Sequence, residues 1–349
     1  MKMPGSSLLG SLLAASAVLS TPVIAQVKPN ATAAEVGLYA GPDRLRKLIE
    51  GAKQEGELNL YTSAQSDDMG ALVGAYEKKY GVKVSIWRAS SEKVLQRAVA
   101  EARANRNTVD VVETNGPEME SLHRERVLQQ VKSPHHADLI APAIRPHGEW
   151  VGTRLNVFVQ AYNTQAVRKQ DLPKTWEDLL EPKWKGKLGI EQEDSDWLAG
   201  LFAEIGEAKG TKLFKEIVAK NGMSVRKGHT LLANLVAAGE VPLALTLYGY
   251  RVEAMKKAGA PIAPVTLAPV VALPNATAVF RRAPHPHAAV LFVDFFLGEG
   301  QRILAARGNV PTNKSVKPPP EVTLVDSAKL LDEGEKWTKL FNETFAPGR

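Results

Sequence analysis

Glu57-Leu58-Asn59-Leu60-Tyr61-Thr62-Ser63-Ala64-Gln65-Ser66 alternates apolar and polar residues and then breaks into small polar ones. Leu58 and Leu60 fall on one side of an extended chain, as in a half-buried strand. Thr62 to Gln65 read as a loop, and Ser66 as the cap of a helix. Met69, Leu72, Val73, Tyr76 and Tyr80 then recur at helical spacing until Gly81 stops the run. The unit repeats twice. Residues 82–87 form a strand and Arg88-Ala89-Ser90-Ser91 a loop, and Val94, Leu95, Ala98 and Val99 share a helix face. Val109-Asp110-Val111-Val112-Glu113 is a third strand, followed by Thr114-Asn115-Gly116 and a helix from Pro117. Strand, polar loop and helix three times over predict an α/β fold with a mostly parallel sheet flanked by helices.

Ligands of such sheets bind beyond the carboxyl ends of the strands. Thr62, Ser63, Gln65, Arg88, Ser90, Ser91 and Asn115 are therefore expected along one edge, with Glu113 beside them. Their loops lead into helix N-termini, whose free N–H groups can hold polar ligand atoms.

Further along, residues 148–163 read as strands crossing into a second lobe, and residues 270–280 as the return. This gives a first lobe of residues 26–155 and 271–349 and a second of 156–270. Helices from Pro286 onward are assigned to the first lobe. In the second lobe, a strand at residues 186–190 meets Glu191-Gln192-Glu193-Asp194-Ser195-Asp196-Trp197. Acids in a helix's first turn complement its dipole, by about 0.3–1 kcal/mol each. Four acids in six positions exceed that need and also fit a cation. An organic ammonium would find a cation–π face on Trp197. A second apolar strand runs into Tyr248-Gly249-Tyr250-Arg251. Alternate strand residues point the same way, so Tyr248 and Tyr250 face the cleft if the strand continues. Otherwise they pack between the lobes. Arg251 can pair with a ligand carboxylate or with the acidic turn. Arg154 and Asn156, in the crossover, either reach a ligand or tie strands together. His135-His136-Asp138 has metal-binding residue types but lies away from the strand ends.

Composition narrows the classes. The chain has 349 residues and no cysteine, so disulfides and thiolate metal sites are excluded. Its 44 Lys and Arg are interleaved with 38 Asp and Glu, which does not form a nucleic-acid footprint. Residues 1–25 read as a secretory signal: Lys2, an apolar run from Leu8 to Val18, and Val23-Ile24-Ala25 before the cut. The expected location is the periplasm. Enzyme motifs are missing: no Gly-x-Ser-x-Gly, no His-Glu-x-x-His, no phosphate loop. A secreted hydrolase would have to rely on a carboxylate pair such as Glu193 and Asp196, and one turn does not hold two carboxylates at a fixed gap.

Several segments carry a family resemblance. They are Leu60-Tyr61-Thr62-Ser63, Tyr162-Asn163-Thr164, Pro182-Lys183-Trp184-Lys185-Gly186-Lys187-Leu188-Gly189, Ala238-Gly239-Glu240-Val241 and Glu299-Gly300-Gln301-Arg302-Ile303-Leu304. With them the chain resembles the periplasmic solute-binding proteins of ABC importers, and within these the ferric-iron-binding cluster. The resemblance implies a type II periplasmic binding protein fold, two α/β lobes that close on a ligand about a hinge. It implies a monomer that hands one small ligand to an inner-membrane ABC permease, with no resident cofactor. Tyr250 matches the second of the family's paired tyrosines and Gly249 the first. Gln65 falls at the family's histidine position and Asn115 at its carboxylate position. The anion-binding turn becomes Glu193-Asp194-Ser195-Asp196, and His229-Thr230 occupies another ligand loop. On this basis the ligand set is Thr62, Ser63, Gln65, Arg88, Ser90, Asn115, Glu193, Asp194, Asp196, Trp197, His229, Tyr248 and Tyr250. Fe³⁺ is the transported ligand first in line, on Glu193, Asp194, Tyr248 and Tyr250, since hard cations prefer oxygen. The alternatives are an amine-bearing organic solute of polyamine or thiamine type, and a sugar phosphate or phosphonate.

Overall fold

The computed structural model describes residues 31–318 and 320–346. The signal segment expected at residues 1–25 lies outside them. Helices α1 (Ala33–Leu38) and α2 (Arg44–Glu55) lead into β1 (Glu57–Thr62). Then come α3 (Ser66–Tyr80), β2 (Lys83–Arg88), α4 (Ser91–Arg103), β3 (Val111–Asn115) and α5 (Gly116–Arg124). The short β4 (Leu128–Gln129) precedes the long β5 (Val151–Asn163). After β5 come β6 (Leu188–Glu191), α6 (Ser195–Ile205), α7 (Glu207–Asn221), β7 (Ser224–Arg226) and α8 (His229–Ala238). β8 (Leu243–Tyr248), α9 (Gly249–Lys257), β9 (Ile262–Val265) and β10 (Val271–Phe280) follow. The chain closes with α10 (Pro286–Leu297), α11 (Glu299–Ala306), α12 (Ser327–Asp332) and α13 (Gly334–Phe345).

The three repeats behave as their pattern predicts. β1 pairs in parallel with β2 and with β3. Leu58 and Leu60 are completely buried, and so are Leu72 and Tyr76 on α3. Gly81 ends α3 at φ 72°, a left-handed conformation that costs glycine little, and its N–H closes on the Glu77 carbonyl at 2.8 Å. Ser66 is not the cap: it is the first helical residue, and Gln65 holds the cap position without a side-chain hydrogen bond. That leaves Gln65 free to point elsewhere.

One strand path links the lobes in the order β2-β1-β3-β10-β5-β8-β6-β7. β5 pairs with β10 up to Val157 and with β8 from Phe158. The switch of partner in mid-strand makes β5 a crossing element: its halves belong to different sheets. In the second sheet β6 is parallel to both β7 and β8. α10 is buried on all sides, from Pro286 to Leu297, and fills the space behind the first sheet.

The C-terminus departs from expectation. α10 packs on α2, but α13 packs on α6 and α7, the helices that follow β6. Its Trp337, Phe341 and Phe345 join one apolar cluster with Trp197, Phe202 and Phe214. The assignment of all residues from 271 onward to the first lobe fails for α13. Its aromatic face is complementary to the second-lobe helices, and chain order does not show that.

Candidate functional site

On the first-lobe edge the polar residues mostly bind one another. Thr62 is fully buried, and its hydroxyl donates to Glu113. Glu113 is also fully buried; its other oxygen faces Arg154 Nη1 at 2.6 Å. Of the two roles open to Arg154, tying strands together is the one observed. Asn115 Oδ1 accepts from Asn156 Nδ2 at 3.1 Å and Asn275 Nδ2 at 3.2 Å. Arg88 is exposed, and its Nε donates to the Ala64 carbonyl at 2.6 Å. Ser90 caps α4 through the Lys93 N–H at 3.4 Å. Thr62 is therefore corrected from ligand contact to loop brace, because its only hydroxyl is enclosed and committed. Ser63 and Gln65 stay half-buried at the edge.

The second-lobe edge is assembled from four element ends: the last residue of β6, the start of α6, the start of α8, and the β8–α9 junction. Glu191 is almost wholly buried and accepts from the Gly228 N–H at 2.6 Å and from the Glu193 N–H. Asp194 is also buried. Its Oδ1 lies 3.1 Å from His229 Nε2, and its Oδ2 has no partner. Donor atoms of Glu191, Asp194 and His229 all lie within 4.8 Å of one another.

Two expectations about this turn are corrected. Glu193 does not point inward: it is more than half exposed and pairs with Lys227 at 2.8 Å. The bend that buries Glu191 and Asp194 turns their neighbour outward, so Glu191 takes the place in the site expected of Glu193. Trp197 offers no cation–π face, being 1% exposed and edge-on to Trp176 and Phe214 at 5.6 and 5.8 Å. It lies on the inner face of α6, where burial of a large ring stabilises most.

The tyrosines reach the cleft by another route than strand alternation. β8 ends at Tyr248, and α9 starts at Gly249. The rings still stack, 5.8 Å apart at 12°, and Tyr248 lies on the His229 imidazole at 4.2 Å and 16°. Tyr250 reaches across to Gln65 of the first lobe. Arg251 pairs with no carboxylate among the described residues.

The electrostatics follow from crowding. Burial and then Asp194 push the Glu191 carboxyl up to about 7. Burial and then Asp194 hold Asp196 well above the usual carboxylate range. Burial opposes a charge on His229, but Asp194, Glu191 and Asp196 outweigh it and raise the imidazole to about 9. Burial, then Asp196 and Asp194, drives the Tyr248 phenol far up, and burial raises Tyr250. Glu118, in the first turn of α5, is pushed up to about 7 by burial, with Glu92 and Glu193 adding to it. Sequence reasoning passed over Glu118, although its position one turn past the β3 loop was the available signal. The arrangement crowds carboxyl groups where the lobes meet, and that crowding is what raises Glu191, Asp196 and His229 together.

These features are those of a solute-binding protein, and comparison bears this out. Residues 71–330 match the family of bacterial extracellular solute-binding proteins, and the chain belongs to it. The family is a transport class, not an enzyme class. The chain is 24% identical over 287 residues to Iron uptake protein A1 of Synechocystis sp., covering 75% of this chain and 79% of that one. Among solved structures it is similar to iron-bound HitA from Pseudomonas aeruginosa, with a TM-score of 0.69 and 22% identity, covering 82% of this chain and 99% of that one. AfuA from Actinobacillus pleuropneumoniae, with fructose-6-phosphate bound, is similar at a TM-score of 0.70 and 22% identity, over 83% and 98% of the two chains. The fold is that of the type II periplasmic binding proteins. Among the described residues no helix is long and apolar enough to cross a membrane.

Proposed function

We propose that the protein is the periplasmic substrate-binding component of an ABC importer and that its cargo is ferric iron. It is exported by residues 1–25, acts as a monomer, and performs no chemistry on its cargo. The carrying observation is the acid-rich cleft, in which Glu191, Asp194 and Asp196 crowd beneath Tyr248 and His229 lies against Asp194. The likeness to Iron uptake protein A1 supports the same reading.

The same charge disfavours a sugar phosphate, which would meet carboxylates where it needs donors. An amine-bearing solute loses its expected platform, because Trp197 is in the core. Capture proceeds by closure: the cation neutralises the second-lobe carboxylates, Gln65 and Glu118 approach from the first lobe, and the permease reads the closed form.

Native mass spectrometry and elemental analysis of protein isolated from its own periplasm test this. Stoichiometric iron on a single chain is expected, whereas a metal-free protein carrying an organic mass overturns it. Small-angle scattering should show compaction when Fe³⁺ is added.

A further inference from the structure

Within the cleft, the donors are not equally available. Each Glu191 oxygen already accepts a backbone N–H, which fixes the carboxylate in place while leaving lone pairs unused. Asp194 Oδ2 is buried and accepts nothing. His229 Nε2 is buried too, and faces Asp194 Oδ1 at 3.1 Å without the geometry of a hydrogen bond. These groups are close enough for small side-chain rotations to bring them onto one ion. An unsatisfied buried carboxylate oxygen is costly, and a cation removes that cost.

The phenols are placed differently. Tyr248 is packed between rings, with His229 at 4.2 Å and Phe158 at 5.1 Å, and Tyr250 stacks on it in turn. The stack fixes both rings in place as a wall beside Asp194 and His229.

We propose that Fe³⁺ is held by the carboxylates of Asp194 and Glu191 and the imidazole of His229, with Tyr248 and Tyr250 as an aromatic wall and not as phenolate ligands. The inference rests on the iron reading above and specifies its ligands. Imidazole and carboxylate are both accepted iron donors. The ligating imidazole is neutral, so its Nε2 proton leaves to solvent as the ion enters. All three ligands come from the second lobe, so the ion docks there first and the first lobe then closes over it.

The test uses the full mature chain and Fe³⁺ supplied as its citrate chelate, with bound iron measured by equilibrium dialysis and the visible spectrum recorded. One iron per chain without an intense phenolate charge-transfer band is expected. The double variant Tyr248→Phe/Tyr250→Phe should hold iron within about threefold of wild type. Asp194→Asn and His229→Gln should each weaken it by roughly a hundredfold or more. A strong visible band that disappears together with binding in Tyr250→Phe overturns the inference and leaves the iron reading intact. Wild-type protein that takes up no iron overturns the reading itself, and the inference with it. If either second-lobe variant fails to fold, the tyrosine variant and the spectrum decide alone.

Discussion

Glu113 of the first lobe and Asp194 of the second are both buried carboxylates at strand–helix junctions facing one cleft. Glu113 gives one oxygen to Thr62 and Ala64 and the other to Arg154. Asp194 gives one oxygen to His229 and keeps the other unpartnered. The first-lobe carboxylate has a guanidinium to neutralise it, which ties β1, β3 and β5 together, whereas the second faces an imidazole and keeps one oxygen with neither hydrogen bond nor ion pair. A third cluster, away from the cleft, has its carboxylates committed although His147 Nε2 is buried without a hydrogen-bond partner. His123, His147 and Glu149 also bring metal-binding atoms together. There, Glu149 is met by His123 at 2.6 Å and Arg281 at 3.0 Å, and neighbouring Glu120 by Trp150 and Arg124. Residue type brings such groups to attention, but unspent capacity decides which of them can take a ligand.

The largest effect that would break this contrast is at the core. Trp197→Ala should cost about 3–5 kcal/mol in urea denaturation, for lost burial and the cavity left behind. Iron affinity of the fraction that stays folded should be unchanged, and a selective loss of affinity would return Trp197 to the site. Glu113→Ala should cost a similar amount, about 3–5 kcal/mol, because Arg154 is left as an unpaired buried charge. A small cost would mean that the Glu113–Arg154 pair does not hold the first edge together.

A pH-dependent effect comes next. Asp110 accepts from His285 Nδ1 at 2.9 Å and from the His285 N–H at 2.7 Å. The hydrogen bond to Asp110 raises the imidazole above its ordinary value, against a smaller opposing effect of burial. A raised folded value favours the protonated form, so its stabilisation is complete below about pH 6.5, the unfolded value, and fades as pH rises through the folded one. His285→Gln should therefore cost about 1.5–3 kcal/mol below that pH and progressively less above it. A pH-independent cost, read from paired denaturation curves, would show that the charge plays no part.

The smallest effect sharpens the placement of Glu193. Its exposed pair with Lys227 should be worth under about 1 kcal/mol. Lys227→Ala should barely move the melting temperature and should leave iron uptake near wild type; a marked loss of uptake would place Glu193 back among the ligands.

Much of this was legible from residue order. The β1–α3 unit declares itself because a strand's period of two and a helix's 3.6 are local properties, and Gly81 stops the helix by its own freedom at positive φ. The crossover at β5 and the cluster of ligand-bearing types at residues 191–196 and 248–250 were likewise visible in the sequence. Which member of each cluster turns inward was not. Glu191 and Glu193 are two residues apart and chemically alike, and only the bend after β6 buries one and leaves the other to Lys227. Trp197 looked like a ligand face until α7 and α13 closed over it, the second a contact between residues more than a hundred positions apart. Sequence fixes periodicity, glycine helix stops and the inventory of donors, because these depend on neighbours along the chain. Tertiary packing alone decides which donors are spent within the fold and which are left for a ligand, because burial and pairing depend on neighbours in space.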